Sequence, residues 1–387
     1  MLKLMPIYGT RPEAIKMAPI IKAIQASTQF DCVVTVTGQH REMLDQVNEL
    51  FGIAPDHDLN IIAPRQTLNS IMAKTITGLD ALFEADAPDA VIVQGDTTTS
   101  TAAAIAAFYR GIPVVHVEAG LRSGDLFSPF PEEGNRKISS HISSLHLAPT
   151  SVSKANLLRE NINPEDIAVT GNTVIDALLE TVEKNVPFQD RALQDLAEAG
   201  KEILLVTTHR RENQGNTMDG IGRALARIAD AHPEVTIVLP VHKNPAVREA
   251  VLPAITGKPN VVITEPLGYG EFTRLLSLAH VVLTDSGGVQ EEAPSLGKPV
   301  LVMRNNTERP EAVSAGTVKL IGTDESVIVQ EVTTLLNDPT AYSAMANAVN
   351  PYGDGHAAAR CIAAIAQLLN VGTRLPDFNN NRTTTNR

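Results

Sequence analysis

The strongest constraint in this sequence is the alternation of short apolar segments with longer helical patterns. In the first half, five such segments are rich in β-branched and aliphatic residues, at positions 2–8, 32–37, 90–94, 114–117 and 145–148. The stretches between them, such as 11–26 and 99–110, have helical patterns. This alternation predicts a parallel sheet that is covered by helices on both faces.

A second series of the same kind follows after a polar, acidic stretch at 180–200, which predicts a connector containing a helix. We therefore predict an α/β chain of two Rossmann-like, doubly wound domains, residues 1–175 and 176–355, that face a central cleft. A last helix is predicted at 356–369, and the polar tail at 370–387 is predicted to be disordered. The strands of the second series are predicted at 202–208, 235–241, 261–264, 281–284, 299–303 and 318–321.

Composition excludes several functional classes for the 387 residues. The 32 Lys and Arg against 44 Asp and Glu leave a net charge of −12, which argues against a general nucleic-acid binder or a binder of anionic membranes. The 9 Phe and 5 Tyr, with no Trp, argue against a base-stacking platform. The absence of an apolar run of about 18 residues and of a signal-peptide pattern predicts no membrane span and a cytoplasmic location. The two cysteines have no metal-ligand spacing, so we expect buried, reduced thiols and no metal site.

Acidic residues follow two neighbouring strands of the first predicted sheet. Asp96 comes after the strand at 90–94, and Glu118 comes directly after the strand at 114–117. Ligands of open α/β sheets bind outside the carboxyl ends of the strands, so these two carboxylates are candidates for acid–base chemistry. The alternative for Asp96 is a helix cap. A third acid, Glu132, lies on a loop and by itself would be interpreted as a surface charge.

The second half carries a candidate phosphate site. Ser286, Gly287 and Gly288 follow the strand at 281–284 and open a helix, where exposed N–H groups and the helix dipole attract phosphate. Glu291 or Glu292, further into that helix, could accept hydrogen bonds from ribose hydroxyls. The alternative is a helix that Ser286 caps and that binds no ligand.

Basic and imidazole side chains occupy three further strand ends. His209 follows the strand at 202–208, and His242 and Lys243 follow the strand at 235–241. Arg11, in the turn after the first strand, could contact a diphosphate because its guanidinium matches phosphate geometry. A complete Gly-x-Gly-x-x-Gly fingerprint after that strand and a Walker loop are both absent, so the pattern fits a nucleotide-sugar enzyme better than a dehydrogenase.

Eight short motifs, taken together in their order along the chain, carry a family resemblance. The chain closely resembles the bacterial non-hydrolysing UDP-N-acetylglucosamine 2-epimerases over about residues 1–370. The motifs are Gly-Thr-Arg-Pro-Glu at 9–13, Gly-Gln-His at 38–40, Gly-Asp-Thr-Thr-Thr at 95–99, His-Val-Glu-Ala-Gly-Leu-Arg at 116–122, Pro-Glu-Glu with Asn-Arg at 131–136, His-Arg-Arg-Glu-Asn at 209–213, Asp-Ser-Gly-Gly-Val-Gln-Glu-Glu at 285–292 and Asn-Pro-Tyr-Gly-Asp-Gly at 350–355.

The resemblance implies a fold of the GT-B type, a homodimer, and a last helix that returns to the N-terminal domain. It also implies interconversion of UDP-GlcNAc and UDP-ManNAc without NAD or a metal. In this reaction UDP is eliminated to leave 2-acetamidoglucal and then adds back. The product commonly supplies cell-surface polysaccharide synthesis.

Site residues are carried over motif by motif. The resemblance implies that Asp96, Glu118 and Glu132 form the acid–base group and that His209 lies close to the leaving diphosphate. Phe272 falls where an aromatic ring stacks on uracil, with a core position as the alternative. The substrate-binding positions implied are Arg11, Lys16, His242, Phe272, Ser286, Gly287, Gly288 and Glu292.

In bacterial members a second UDP-GlcNAc activates the enzyme from a site beside the active site. Gln39, His40, Arg65 and Gln66 resemble that allosteric set. The alternative is a loop that merely caps the strand at 32–37.

Three other functions remain open on sequence grounds. A hydrolysing 2-epimerase, which releases free ManNAc and UDP, shares the fold and most of the acids. A glycosyltransferase of the same fold would need an acceptor groove and gives no reason for three aligned acids. A nucleotide-sugar-binding regulator without catalysis is disfavoured by the intact Asp96, Glu118, Glu132 and His209.

Overall fold

The computed structural model describes residues 1–38, 41–63, 65–210, 216–307 and 309–379. The chain divides into two compact units. Unit 1 is Met1–Ala177 together with the segment from Tyr352 onward, and unit 2 is Leu178–Pro351. The first boundary falls two residues beyond the predicted one, and the predicted central cleft stays a prediction.

Unit 1 contains a parallel sheet with the strand order β4-β3-β1-β5-β6-β7-β8, in which β2 also pairs with β1. Its strands are β1 (Leu2–Tyr8), β2 (Phe30–Cys32), β3 (Thr35–Val36), β4 (His57–Asp58), β5 (Ala90–Gln94), β6 (Val114–Val117), β7 (Leu145–Ala148) and β8 (Ile167–Val169). Its helices are α1 (Arg11–Gln25), α2 (Arg41–Phe51), α3 (Leu68–Asp86), α4 (Thr98–Tyr109), α5 (Glu132–Ile142), α6 (Ser151–Arg159) and α16 (Ala357–Leu368), and the boundary between the units falls within α7 (Thr173–Lys184).

Unit 2 contains a second parallel sheet with the order β11-β10-β9-β12-β13-β14. Its strands are β9 (Ile203–Thr207), β10 (Thr236–Pro240), β11 (Val261–Thr264), β12 (Val281–Thr284), β13 (Val300–Val302) and β14 (Val318–Leu320). Its helices are α8 (Arg191–Ala199), α9 (Asn216–Ala231), α10 (Pro245–Ile255), α11 (Tyr269–Leu278), α12 (Gly287–Glu292), α13 (Pro310–Ser314), α14 (Glu325–Asn337) and α15 (Pro339–Ala346).

The central strands of each sheet are buried on both faces. All five residues of β5 are buried, and so are the four residues of β12, because helices cover both sides of a parallel sheet. In unit 2 the apolar face of α9, with Ile221, Leu225 and Ile228, packs in the same buried cluster as Leu204 of β9. Burying each of these side chains contributes about 1.5–3 kcal/mol.

The strand orders create one switch point in each unit. In unit 1 the chain reverses its direction of growth between β1 and β5, and in unit 2 it does so between β9 and β12. Loops that leave the carboxyl ends of such strands diverge, and the crevice that results is where ligands bind in this fold class. We therefore expect the ligand-binding residues on the loops after β1, β5, β9 and β12.

The C-terminal helix α16 belongs to unit 1. The carboxylate of Asp176 accepts hydrogen bonds from the first N–H groups of the helix, at Ala357 (3.2 Å) and Ala358 (2.9 Å). Arg360 pairs with Asp354 at 2.7 Å and donates to the carbonyl of Thr170 at 3.2 Å. These contacts tie the helix to the chain that follows β8.

The segment after α16 differs from the predicted disorder. Phe378 N–H donates to the carbonyl of Val169 (2.7 Å), and Asp377 accepts from Val169 N–H (3.0 Å) and from Lys154 (2.8 Å). β8 is an edge strand with open backbone groups, so this polar segment supplies the partners that the edge needs. Residues 380–387 lie outside the described residues.

Candidate active site

Glu118 is an acid at the carboxyl edge of unit 1 that several side chains hold in place. It directly follows β6 and has a φ of 63°, a left-handed conformation that costs a non-glycine residue roughly 1–2 kcal/mol. One carboxylate oxygen, Oε1, lies 2.5 Å from the Lys16 ammonium and accepts from the Asn172 amide at 3.0 Å. The other, Oε2, accepts from the Gln94 amide at 2.6 Å. Strained backbone with three donors on one carboxylate is typical of a functional position.

Asp96 lies on the adjacent strand end and has a cation of its own. β5 and β6 pair in parallel, with Gln94 opposite Val117, so Asp96 and Glu118 leave neighbouring strands at the same edge. The Asp96 carboxylate is 2.5 Å from the Arg136 guanidinium, and its backbone carbonyl accepts from the Asn135 amide at 2.8 Å. Arg136 and Asn135 are both on α5, which therefore fixes the loop after β5.

Glu132 is the first residue of α5, and one of its carboxylate oxygens is open to a further hydrogen-bond donor. Its Oε2 atom is buried and has no hydrogen-bond partner among the described residues. The next residue, Glu133, is fully buried and accepts hydrogen bonds from Ser123 N–H (3.0 Å) and Gly124 N–H (3.2 Å). Glu133 therefore anchors the start of α5, while Glu132 retains an open acceptor.

The turn after β1 carries the predicted Arg11 at the start of α1. Its side chain is exposed and makes no hydrogen bond or ion pair within the described part of the chain. Two residues on, the buried carboxylate of Glu13 accepts from Gly9 N–H and Thr10 N–H. Glu13 was not predicted as a site residue, although its position in the Gly-Thr-Arg-Pro-Glu motif was available as a signal.

In unit 2, His209 and Asp285 meet at the switch point. β9 and β12 are adjacent, and Asp285 follows β12 as His209 follows β9. Asp285 is fully buried and accepts hydrogen bonds from the Thr208 hydroxyl (2.9 Å), His209 N–H (3.0 Å) and Arg210 N–H (3.0 Å). Burial acts to raise the pKa of Asp285, but the His209 ring and the backbone N–H groups of Arg210 and His209 outweigh it and hold the pKa below its ordinary value. Sequence reasoning missed Asp285, which it treated only as the start of the glycine motif.

His242 stands beside His209 as a second exposed imidazole. The two ring centroids are 5.9 Å apart with an interplanar angle of 28°. Burial, together with the nearby His209 and Arg248, lowers the pKa of His242. A neutral His242 donates one hydrogen bond, and its Nδ1 already accepts from Asn244 N–H at 3.1 Å.

The glycine motif adopts the predicted strand–turn–helix form, with one difference. Ser286 occupies the N-cap position of α12, but its side chain makes no capping hydrogen bond. Its backbone N–H donates to the Thr284 hydroxyl at 2.9 Å. The Arg309 guanidinium covers Gly287, where an added Cβ would lie 2.8 Å from one of its nitrogen atoms. Arg309 is a cation at the first turn of α12 that no local sequence pattern indicated.

Glu291 and Glu292 have different surroundings, which separates the two predicted ribose candidates. The Glu291 carboxylate accepts from Arg309 at 2.6 Å. Glu292 is mostly buried and lies 3.4 Å from the Tyr269 hydroxyl. Phe272, one turn after Tyr269 on α11, is partly buried. The start of α11 and the end of α12 therefore come together.

The predicted allosteric set is only partly described. Gln39 and His40 lie outside the described residues. Arg65 is exposed with a φ of 54°, and the side-chain oxygen Oε1 of Gln66 accepts from Ala63 N–H at 2.9 Å. The Gln66 amide nitrogen is buried without a hydrogen-bond partner in the described part of the chain.

Two absences hold for the described residues alone. They contain no group of three or more His, Cys, Asp and Glu side chains that could hold a metal ion. None of their helices is both long and apolar enough to cross a membrane.

Comparison with known proteins decides the family. A sequence model described as UDP-N-acetylglucosamine 2-epimerase matches residues 22–366. The UDP-N-acetylglucosamine 2-epimerase of Escherichia coli (strain K12) is 52% identical over 370 residues, which cover 94% of this chain and 98% of that protein. The chain belongs to the UDP-N-acetylglucosamine 2-epimerase family. It is therefore an epimerase, and the predicted enzyme class is confirmed.

Solved structures of the UDP-N-acetylglucosamine 2-epimerase family share the fold. A crystal structure of one UDP-N-acetylglucosamine 2-epimerase has a TM-score of 0.89 at 48% identity, covering 98% of this chain and 99% of that one. The enzyme from Neisseria meningitidis, bound to UDP-GlcNAc, has a TM-score of 0.84 at 46% identity, covering 95% and 100%. The predicted fold class, two parallel-sheet α/β domains of the GT-B type, is confirmed.

Proposed function

We propose that this chain is a non-hydrolysing 2-epimerase that interconverts UDP-GlcNAc and UDP-ManNAc. The Neisseria meningitidis relative binds UDP-GlcNAc, and membership of the family supports the same sugar nucleotide here. The local geometry supports acid–base chemistry on the sugar. The observation that carries the proposal is the Glu118 carboxylate, which Lys16, Gln94 and Asn172 hold at the carboxyl end of β6.

The proposed reaction balances without an external oxidant or reductant. A carboxylate takes the proton from C2 of the sugar, the C2–H electron pair forms the C1=C2 double bond, and the C1–O bond breaks with its electrons leaving on UDP. The intermediates are 2-acetamidoglucal and UDP. A β-phosphate oxygen of UDP then attacks C1, and C2 receives a proton on its other face. The C2 proton is not beside a carbonyl, so departure of UDP has to drive the first step.

Three acids are proposed to share the proton transfers. Asp96, Glu118 and Glu132 belong to the loops after β5 and β6 and to the start of α5. Removal and return of the proton on opposite faces require at least two positioned groups. The unpartnered Oε2 of Glu132 and the held carboxylates of Asp96 and Glu118 suit that requirement.

The diphosphate and nucleoside are proposed to bind cationic and N–H groups. In unit 2, His209 and His242 lie together, and the first turn of α12 offers the backbone N–H groups of Gly287 and Gly288 beside Arg309. Donors aimed at the leaving oxygen stabilise the charge that develops on UDP. The further residues proposed to bind substrate are Arg11, Lys16, Phe272, Ser286 and Glu292.

Product analysis tests the proposal. Purified protein is incubated with UDP-GlcNAc in buffer with EDTA and without NAD, and the sugars are separated by ion-exchange chromatography. We expect UDP-GlcNAc and UDP-ManNAc at equilibrium, with UDP held at trace level. Free ManNAc with stoichiometric UDP would identify a hydrolysing epimerase. Turnover only after addition of a sugar acceptor would identify a glycosyltransferase, and binding without turnover a regulator.

We further propose that the enzyme acts as a cytoplasmic homodimer and that a second UDP-GlcNAc activates it. The proposed activator residues are Gln39, His40, Arg65 and Gln66. Initial rates with UDP-ManNAc as the substrate, measured with and without a trace of UDP-GlcNAc, test the activation. Equal rates would contradict it. The product is proposed to supply cell-surface polysaccharide synthesis.

A further inference from the structure

The buried carboxylate of Glu13 joins two loops of unit 1 that the proposed reaction uses separately. Its Oε2 atom accepts from Gly9 N–H at 3.0 Å and Thr10 N–H at 2.7 Å, in the turn after β1. Its Oε1 atom accepts from the Thr97 hydroxyl at 2.6 Å, in the turn after β5. Only 1% of the Glu13 side chain is exposed. One carboxylate thus spans the switch point between β1 and β5.

Part of this arrangement is ordinary helix chemistry. The Thr10–Glu13 pair forms a capping box at the start of α1, in which Glu13 accepts a hydrogen bond from the backbone N–H of the N-cap residue Thr10. A capping box needs neither Gly9 N–H nor a hydroxyl from another loop. The two additional contacts therefore require a reason beyond the start of the helix.

Burial makes these contacts costly to lose. Burial raises the pKa of Glu13, and the hydrogen bonds from Thr97, Gly9 and Thr10 act in the opposite direction. A buried carboxylate that loses its donors pays the full desolvation penalty. Burial therefore favours the arrangement of the two loops that brings Gly9, Thr10 and Thr97 to the same side chain.

The residues next to these contacts are the ones that matter for the reaction. Arg11, proposed to contact the diphosphate, follows Thr10 directly. Asp96, proposed to transfer a proton, precedes Thr97 directly. Placement errors of about 1 Å at such groups reduce rates by orders of magnitude.

We propose that Glu13 is a positioning residue that fixes the Arg11 turn and the Asp96 turn relative to each other. The inference rests on the proposed function, because it assigns roles to Arg11 and Asp96. Glu13 itself touches no substrate in this proposal. Its effect on the reaction passes through the backbone of the two turns.

The Thr97→Val variant removes the link to the Asp96 turn and leaves the bonds from Gly9 and Thr10. We expect kcat for UDP-GlcNAc epimerisation to fall by about tenfold or more, with KM within about threefold of wild type. Glu13→Ala releases both turns, so we expect kcat to fall and KM to rise as well. Thr97→Ser keeps the hydroxyl that donates to Glu13, so we expect its kcat to stay within about threefold of wild type.

Thr97 also caps α4 by accepting from Ser100 N–H at 3.0 Å, so a control is needed for the lost cap. Thr150 caps α6 in the same way, accepting from Ser153 N–H at 3.2 Å, and has no part in the proposed reaction. Thr150→Val removes a helix cap without affecting Glu13, so we expect Tm to fall by only part of the loss seen in Thr97→Val, while kcat stays near that of wild type.

The outcomes separate this inference from the proposed function. A wild-type kcat in Thr97→Val would overturn the role of Glu13 while leaving the epimerase intact. A loss of kcat in Thr97→Ser as large as that in Thr97→Val would overturn it in the same way. A kcat loss in Thr150→Val as large as that in Thr97→Val would also overturn it. A wild-type protein that does not turn over UDP-GlcNAc would contradict the proposed function and, with it, this inference. If Glu13→Ala does not fold, the Thr97 and Thr150 variants still decide the question.

Discussion

The Nδ1 atom of His209 lies 3.1 Å from Oδ1 of Asp285, a fully buried carboxylate. An Nδ1–H that donates to Asp285 leaves Nε2 of His209 on the exposed side of the ring. The imidazole therefore has a set orientation at the switch point of unit 2. This is the arrangement expected of a group that meets a leaving diphosphate.

Asp285→Asn tests that relationship. The amide presents one acceptor oxygen instead of two, so the ring and the two backbone N–H groups compete for it, and His209 loses its orientation. We expect kcat to fall by about tenfold or more and the free energy of unfolding to fall by about 1–3 kcal/mol. Steady-state kinetics and urea denaturation measure the two effects. If Asp285→Asn is less stable but keeps the kcat of wild type, the role of Asp285 is structural only.

Glu118→Gln tests the acid on which the proposal depends most. The amide keeps the shape of the side chain but cannot take a proton, and it removes the charge that faces Lys16. We expect kcat to fall by roughly 10²–10⁴-fold while the Kd for UDP stays near wild type. Isothermal titration with UDP and epimerisation rates provide the comparison. Equal losses of binding and turnover would assign Glu118 to structure.

Gly287→Val tests the phosphate site. A Cβ at this position would lie 2.8 Å from a guanidinium nitrogen of Arg309, so Arg309 has to move and the first turn of α12 becomes obstructed. We expect the Kd for UDP to rise by about tenfold or more. Gly220→Ala on α9 is a control for adding a side chain to a helical glycine away from the phosphate site, because an added Cβ there meets nothing closer than 3.6 Å. Unchanged UDP affinity in Gly287→Val would refute this placement.

The lowered pKa of the buried His116 leads us to expect a loss of stability in mild acid. Burial lowers the pKa of His116 from 6.5 to about 4, while its ring contacts the Gly95 carbonyl at 2.7 Å. Between these values the unfolded chain binds a proton that the folded chain does not, so the free energy of unfolding falls as the pH drops from 6.5 to 4. The contribution of this one group is about 3 kcal/mol.

Urea denaturation at pH 7, 5.5 and 4.5 measures the effect. A His116→Gln variant, which keeps a donor for the Gly95 carbonyl, should show a flatter decline than wild type over that interval. Parallel declines in the two proteins would show that His116 does not control the acid sensitivity.

Sequence patterns were sufficient for strands that are continuous apolar runs. The bounds of β1, β5, β6 and β7 in unit 1 match the predicted ones, since each of these strands lies inside the sheet with both faces covered. The segment at 32–37 instead divides into β2 and β3, and β4 and β8 were not predicted. These strands have two or three residues each, and β4 and β8 lie at the sheet edges, where tertiary pairing decides the structure.

Of the candidate site, the sequence could indicate the acids but not what holds them. The strand-end rule was enough to select Asp96 and Glu118. Gln94 and Asn172 hydrogen bond to Glu118 from β5 and from the loop after β8, and no spacing in the sequence links such distant positions. Asp285 was missed for a similar reason, because its role depends on the pairing of β9 with β12.

The proposed reaction requires that the C2–H bond breaks as UDP leaves C1 and that the sugar nucleotide re-forms afterwards. Incubation with UDP-GlcNAc in heavy water, followed by ¹H NMR, tests this most directly. We expect that both UDP-GlcNAc and UDP-ManNAc carry deuterium at C2 and that the products are sugar nucleotides rather than free sugars. Formation of UDP-ManNAc with the original hydrogen retained at C2 would contradict it.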